Sequence, residues 1–184
     1  MKATGIVRRI DDLGRVVIPK EIRRTMRIRE GDPLEIFTDR DGEVILKKYS
    51  PIGELGQFAE EYAESASKIL NCIALVSDAD QIIAVAGASK KMFMEKKISK
   101  DLETIINNKT TYLSKSGDKN HSITAEDTGT NDYISQLMVP IISQGDPIGA
   151  IIFLSPADKG TAFGQGERNA AEIAATFFSL QMEN

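Results

Sequence analysis

The alternation of apolar and polar positions predicts four short strands in the first 48 residues, with a short helix between the second and third strands. Gly14 lies in the turn between the first two strands, where it can adopt a positive φ. Pro19 suits the first position of the helix, on which Ile22 and Met26 share one face. The predicted strands cover residues 4–10, 15–18, 34–38 and 43–48.

A unit of this size buries little apolar surface. Chains below roughly 40–60 residues usually need disulfides, a metal or a second chain to be stable. The chain has one cysteine, Cys72, and one histidine, His121, and both lie outside this unit. They cannot supply an internal disulfide or a zinc-ligand set. We therefore expect the N-terminal unit to be an obligate dimer with a shared core.

The pattern changes at Ser50–Gly53, and the remainder of the chain predicts an α+β domain built on an antiparallel sheet. The polar stretch 114–132 has no periodicity, and a loop of that length is usually functional or disordered. We expect domains over 1–50 and 56–184, joined by a linker over 51–55. The expected helices cover 54–71, 98–108 and 166–182, and the expected strands cover 72–76, 81–86, 133–142 and 147–155.

The first and last helices of this domain each carry an apolar stripe. On the first helix the spacing is close to a heptad, which fits packing on its own domain or pairing with a second chain. Both helices are therefore candidates for assembling dimers into a tetramer. The residues of the first stripe are Leu55, Phe58, Tyr62, Ala66 and Ile69. Those of the second are Ala170, Ile173, Ala174, Phe177 and Phe178.

Positive charge is concentrated near the N-terminus of a chain that is acidic as a whole. The net charge is −4, yet residues 1–48 carry +3 and residues 49–184 carry −7. Residues 8–29 contain eight Lys and Arg against three Asp and Glu. A basic region on an acidic protein indicates an anionic partner, and double-stranded DNA fits this pattern.

The segment from Gly5 to Arg24 strongly resembles the AbrB-type DNA-binding domain. The resemblance is carried by Gly5-Ile6-Val7-Arg8, Asp11-Asp12-Leu13-Gly14-Arg15-Val16-Val17-Ile18-Pro19 and Glu21-Ile22-Arg23-Arg24. In that family two chains interlock as swapped hairpins, so the resemblance implies an all-β N-terminal swapped-hairpin barrel, an intertwined dimer. Arginines on such a two-fold frame can reach phosphates and guanine edges along a groove. The DNA contacts implied by the resemblance are Arg8, Arg15, Arg23 and Arg24, with Arg9 and Lys2 as additions.

Residues 55–182 resemble a GAF domain. The resemblance rests on the strand–turn–strand segment 74–87, on the segments 138–142 and 148–153, and on Phe163-Gly164 before the last helix. It implies a domain that sets assembly and that, as in many GAF domains, can hold an unidentified small ligand beside the 114–132 loop. Ligand sensing and pure assembly both remain open, and no cofactor is identified. The candidate pocket residues are Tyr112, Asp127, Asp132 and Tyr133.

The two-part arrangement resembles transcription regulators of the developing spore in endospore-forming bacilli. It implies a homo-oligomeric DNA-binding regulator in the cytoplasm, associated with the nucleoid, that activates or represses sporulation genes. The alternative is an antitoxin that binds a partner protein, because AbrB-type domains also occur in antitoxins.

Enzymatic, metal-dependent and membrane functions are not expected. No Ser–His–Asp set or phosphate-binding loop is visible, and Cys72 is expected to be a buried structural thiol. Asp78-Ala79-Asp80 begins like a calcium loop, but Ile83 and Ser89 occupy the positions that need glycine and glutamate. The longest apolar run, Ile148–Leu154, has seven residues, far fewer than the roughly 20 that span a bilayer.

Overall fold

A computed structural model of the chain describes residues 5–114, 118–127, 133–158 and 160–182. The chain divides into two compact units, Met1–Tyr49 and Ser50–Asn184. Two of the predicted site residues, Lys2 and Asp132, lie outside the described residues.

The N-terminal unit contains one short helix and one hairpin. Helix α1 covers Lys20–Thr25, and strands β1 (Leu34–Thr38) and β2 (Val44–Lys48) pair antiparallel. Asp39 holds the hairpin turn, because its Oδ1 accepts hydrogen bonds from the backbone N–H groups of residues 41 and 43 at 3.0 and 2.9 Å. The hairpin therefore forms at the position that the sequence predicts.

The two strands predicted ahead of α1 are not strands in the single chain. Residues 5–10 and 15–18 have no regular secondary structure. Their alternating pattern suits a pleated backbone, but a strand also needs a neighbour that accepts and donates its backbone hydrogen bonds. No strand of the described residues pairs with either segment.

The N-terminal unit leaves its apolar side chains in contact with water. Apart from Pro19, none of the buried apolar side chains of the described structure lies before Ile52. The large apolar side chains that are exposed in this unit are Ile6, Val7, Ile10, Leu13, Val16, Val17, Met26, Ile36, Phe37, Val44 and Ile45. As a single chain, this unit has no apolar core of its own.

The C-terminal unit is an antiparallel five-stranded sheet with helices on both faces. The strands lie in the order β4-β3-β7-β6-β5, and every neighbouring pair is antiparallel. The strands are β3 (Ile73–Asp78), β4 (Ile82–Ala86), β5 (Tyr112–Leu113), β6 (Tyr133–Ser143) and β7 (Asp146–Pro156). The helices are α2 (Pro51–Glu54), α3 (Gly56–Leu70), α4 (Lys90–Phe93), α5 (Lys100–Asn107) and α6 (Gln165–Gln181).

Each face of this sheet has its own apolar cluster. Helices α3 and α6 cover one face, mainly with alanines and Phe178. Helices α4 and α5 cover the other face, where Phe93, Leu102 and Ile106 are buried against β3, β6 and β7. Alternate residues of the central strands point to opposite clusters, which explains why these strands are continuously apolar in the sequence.

The buried faces of α3 and α6 differ from the predicted apolar stripes. The buried residues are Ala59, Ala63 and Ala66 on α3, and Ala171, Ala174, Ala175 and Phe178 on α6. In contrast, Phe58, Ile69, Ile173 and Phe177 are exposed, and Ile69 and Ile173 keep 81% and 71% of their surface in water. Small alanines let both helices lie close to the sheet, whereas these four large side chains are turned outward, so each predicted stripe is buried only in part.

Candidate nucleic-acid interface

A tight turn at Asp11 fixes the position of Arg15. Asp11 Oδ1 accepts hydrogen bonds from the backbone N–H groups of Leu13 and Arg15 at 3.0 and 2.7 Å. Asp11 Oδ2 accepts one from Arg15 Nε at 2.8 Å. Gly14 adopts a φ of 75° and donates its N–H to the Asp11 carbonyl at 3.0 Å. The turn therefore presents one arginine at a defined place on the surface.

The same contacts set the electrostatics of the turn. The hydrogen bond from the Arg15 backbone N–H, followed by the one from its guanidinium, lowers the pKa of the Asp11 carboxyl below its usual value. Asp11 is therefore charged at neutral pH. The side chain of Arg15 keeps 70% of its surface exposed in spite of the ion pair, so its remaining donors face solvent.

The other predicted DNA-contacting arginines lie before the turn and on α1. Arg8, Arg9 and Arg24 are exposed, as a contact surface requires. Arg23 is half-buried, and its Nε is buried without a hydrogen-bond partner among the described residues. We call Arg8, Arg9, Arg15, Arg23 and Arg24 the arginine surface.

The end of α1 is formed by backbone geometry rather than by a side-chain cap. The N–H of Ile28 donates to the carbonyl of Arg23 at 2.8 Å, and Arg27 adopts a left-handed φ of 53°. This bond satisfies a carbonyl that the helix end would leave unpaired. Arg23 and Arg24 therefore lie in the last turn of a short helix whose end is well defined.

The described candidate pocket residues of the C-terminal unit do not share one environment. Tyr112 and Tyr133 are half-buried and pack against the apolar cluster under α4 and α5. Burial, followed by the nearby Asp118, raises the pKa of Tyr112. Asp127 instead holds its own loop, since its Oδ2 accepts the N–H of Ile123 at 3.4 Å.

Gln136 on β6 holds the loop beside Tyr112. It is fully buried, and its amide accepts from the His121 N–H at 2.8 Å and donates to the His121 carbonyl at 2.9 Å. The ring of Tyr112 meets that of His121 edge-on, with 4.6 Å between centroids. His121 Nδ1 also lies 3.4 Å from Asp101 Oδ2. These contacts hold His121 in the described part of the loop, where the sequence indicated only a polar stretch.

A metal site, a membrane-spanning helix and a reactive thiol each place requirements on the described residues. Within these residues, no group of three or more His, Cys, Asp or Glu side chains is placed to hold a metal ion. None of the described helices is long and apolar enough to cross a membrane. Cys72 is buried, and that burial, followed by the charge of Glu167, raises the pKa of its thiol to about 12.

The orienting role of Asp11 goes beyond what the sequence pattern predicted. The pattern at residues 11–14 predicts a turn, but it does not by itself show that the carboxylate orients Arg15. A signal for this role was present, because Asp followed three residues later by Gly is typical of a turn that is closed by the aspartate side chain.

Comparisons with known proteins find a family match for each unit. The model for a family described as stage V sporulation protein T C-terminal, transcription factor, matches residues 54–183. A second model, described as antidote-toxin recognition MazE, bacterial antitoxin, matches residues 7–54. The chain is also similar in fold to the GAF domain of an Acinetobacter phosphoenolpyruvate-protein phosphotransferase, with 12% identity and a TM-score of 0.58. That match covers 70% of this chain and 82% of the other, and it concerns the fold alone.

Two relatives agree with these matches, and one of them extends over the whole chain. The transition state regulatory protein AbrB of Bacillus subtilis is 65% identical over 51 residues, which cover 28% of this chain and 52% of that protein. Stage V sporulation protein T of Bacillus subtilis is 54% identical over 183 residues, which cover 100% of this chain and 99% of that protein. The predicted fold class, an AbrB-type N-terminal domain followed by a GAF-like α+β domain, is thus confirmed. The chain belongs to the stage V sporulation protein T family of transcription factors.

Proposed function

We propose that the protein is a homo-oligomeric regulator of sporulation genes that binds double-stranded DNA through the arginine surfaces of two paired N-terminal units. One observation carries this proposal: the same small unit has exposed arginines on an ordered turn and helix and has large apolar side chains that are not packed into a core. The arginines fit an anionic duplex, and the apolar side chains fit a second copy of the chain.

The exposed apolar side chains support the dimer. Burying one large apolar side chain stabilises a protein by about 1.5–3 kcal/mol. The N-terminal unit leaves eleven of them exposed, which is more than a unit of its size can sustain alone. A second copy would cover these side chains and supply neighbouring strands for residues 5–10 and 15–18. It would also surround the buried and unpaired Nε of Arg23.

Two-fold pairing would present two arginine surfaces to one duplex. If four arginines per chain contact phosphates, the dimer neutralises about eight phosphates. A plot of the logarithm of the binding constant against the logarithm of the salt concentration then has a slope of up to roughly −7. Arginine is also the side chain that best reads guanine in the major groove. Contacts to bases add sequence preference but do not add to this slope.

The C-terminal domain is proposed to join dimers into a tetramer. An open groove on the outer face of α6 is lined by Asn169, Glu172, Ile173, Thr176, Phe177 and Leu180. Its exposed apolar members suit the same helix of another copy. The domain is also a candidate sensor of a small ligand near Tyr112 and Tyr133. A thermal-shift screen in which no metabolite raises the melting temperature would count against sensing.

The test of DNA binding compares three arginine variants of the full-length protein. Arg15→Ala and Arg23→Ala are expected to weaken duplex binding and to make the salt slope shallower by about 0.9 for each phosphate that is no longer neutralised. Arg40→Ala is the matched control, because Arg40 lies in the β1–β2 turn of the same unit and is exposed. Fluorescence anisotropy over a salt series measures the three variants and the wild type. Equal slopes for Arg15→Ala and the wild type would remove Arg15 from the contact set.

An antitoxin is the second candidate, and the match of residues 7–54 to the MazE family favours it. In that case the surface of the N-terminal unit, or the segment after it, would bind a toxin. Binding to a purified toxin of the MazE-partner class, with no binding of duplex DNA by the same preparation, would support the antitoxin over the regulator.

A further inference from the structure

A second concentration of positive charge lies in the C-terminal unit, which is otherwise acidic. Residues 50–184 contain eleven Lys and Arg, and five of them are lysines between positions 90 and 100. Glu95 is the only acid within that stretch. We call residues 90–100 the lysine segment. The proposed DNA contacts of the N-terminal unit do not use it.

The backbone of the lysine segment is held against β4, an edge strand of the sheet. The N–H of Ile82 donates to the carbonyl of Lys96 at 3.0 Å, and the N–H of Glu95 donates to the carbonyl of Ile82 at 2.9 Å. The N–H of Ile98 donates to the carbonyl of Asp80 at 2.9 Å. The side chains of the lysine segment are therefore mounted on an ordered backbone.

Three lysines of the segment remain available. Lys90 pairs with Glu60 at 2.9 Å, and Lys96 pairs with Glu126 at 3.0 Å. The three exposed lysines without an ion pair among the described residues are Lys91, Lys97 and Lys100. In the part of the unit that the structure describes, acidic side chains from elsewhere therefore neutralise only two of the five lysines. Their ammonium groups remain free to meet an external anion.

The chemistry of the segment favours a phosphate backbone over a membrane or a stack of bases. Lysine is a compact point charge that suits single phosphates and does not read bases as arginine does. Phe93 is buried, so no aromatic ring of the segment is available to insert into lipid or to stack on a base. Ile98 is also buried and Met94 is half-buried, so Met92 is the one large apolar side chain of the segment that is exposed. The segment therefore offers a partner mainly positive charge.

We propose that Lys91, Lys97 and Lys100 form a second contact to the phosphate backbone of the DNA duplex, without sequence preference. This inference rests on the proposed DNA-binding function. A transcription factor with a C-terminal unit of net charge −7 repels the duplex along most of that unit. The lysine segment offsets this repulsion at one place. It would thereby extend the bound site beyond the N-terminal dimer.

The test uses full-length protein and a matched pair of double variants. Lys91→Gln/Lys97→Gln removes two charges from the segment, and Lys68→Gln/Lys119→Gln removes two exposed charges from elsewhere in the same unit. We expect the first variant to have a salt slope shallower than the wild type by up to about 1.8 per chain, because each neutralised phosphate contributes about 0.9. The control variant should keep the wild-type slope. Lys91→Arg/Lys97→Arg, which preserves the charges, should also bind as the wild type does.

Each outcome of this experiment bears either on the second contact or on DNA binding itself. If the wild type binds the duplex and Lys91→Gln/Lys97→Gln keeps its slope, the second contact is overturned while DNA binding stands. If both Gln variants lose affinity equally, the effect is one of net charge and the segment has no special role. If the wild type does not bind duplex DNA in dilute buffer, the proposed function itself fails.

Discussion

At the residue scale, the proposed DNA contact depends on how each arginine is held. Arg15 is oriented by Asp11, while Arg8, Arg9 and Arg24 are exposed. The positions of these cations could be predicted from the charge pattern and the family resemblance. The Asp11–Arg15 pairing was not foreseen, because it depends on a backbone turn that brings two side chains four residues apart into contact.

The pKa of Asp11 tests this pairing directly. In the wild type we expect the carboxyl to titrate below about 3.9, its usual value. In Arg15→Ala the pKa should rise only part of the way, because the backbone N–H of residue 15 still donates to Asp11. Since the folded-state pKa is lowered, the contribution of Asp11 to stability is complete above pH about 4 and is lost as the pH falls through the lowered pKa. Carboxyl carbon NMR shifts measure both proteins, and an ordinary pKa in the wild type would contradict the pairing.

Cys72 offers a second test at this scale. Burial raises its thiol pKa to about 12, so very little of the thiol is in the reactive thiolate form at pH 8. We expect no labelling of the folded protein by a thiol reagent at pH 8 over minutes, and complete labelling in denaturant. Fast labelling of the folded protein would instead contradict the buried structural thiol.

At the element scale, the C-terminal sheet and the β1–β2 hairpin could be predicted well, and the two strands expected ahead of α1 could not. The hairpins β3–β4 and β6–β7 lie where the apolar segments and their polar turns indicated. Residues 5–10 and 15–18 have the same kind of pattern, but strand formation also requires a partner that the pattern does not identify. The predicted helix stripes are buried in part, at Ala66, Ala174 and Phe178. Their exposed members fit the alternative of pairing with a second chain. Apolar character alone does not distinguish a face that packs on the sheet from one left for another copy of the chain.

The contact between β3 and β7 depends on Gly149. A Cβ at this position would lie 2.1 Å from the backbone oxygen of Ser77, which cannot move without disturbing the sheet. We expect Gly149→Ala to destabilise the protein by about 1–3 kcal/mol, the range found for overpacked cores. Gly166→Ala is the control, because a Cβ there meets no heavy atom within 4 Å and alanine favours the helix. Urea unfolding compares the two variants. Equal unfolding midpoints would show that the added methyl group at position 149 does not destabilise the sheet.

At the scale of the whole molecule, the protein combines a basic unit that lacks its own core with an acidic unit that has two apolar clusters. Composition was enough to predict this asymmetry. It did not reveal the lysine segment, because summing the charge over residues 49–184 concealed a local excess within 90–100. The assembly that we propose assigns one interface to each unit, so the two interfaces can be removed separately.

The outer face of α6 allows this separation. Ile173→Glu/Phe177→Glu places charge in the exposed apolar groove without touching the buried alanines of the helix. We expect this variant to lose the tetramer and to remain a dimer through its N-terminal units. Light scattering after size-exclusion chromatography measures the mass. The paired variant Asn169→Ser, at the polar margin of the same groove, should keep the wild-type mass.

The central claim is that two N-terminal units together form one DNA-binding surface. Sedimentation velocity of the Ile173→Glu/Phe177→Glu variant with an excess of short labelled duplex tests it most directly. We predict a bound particle that contains two chains and one duplex. A particle with one chain per duplex, or a variant that is monomeric and still binds DNA with the wild-type salt slope, would contradict it.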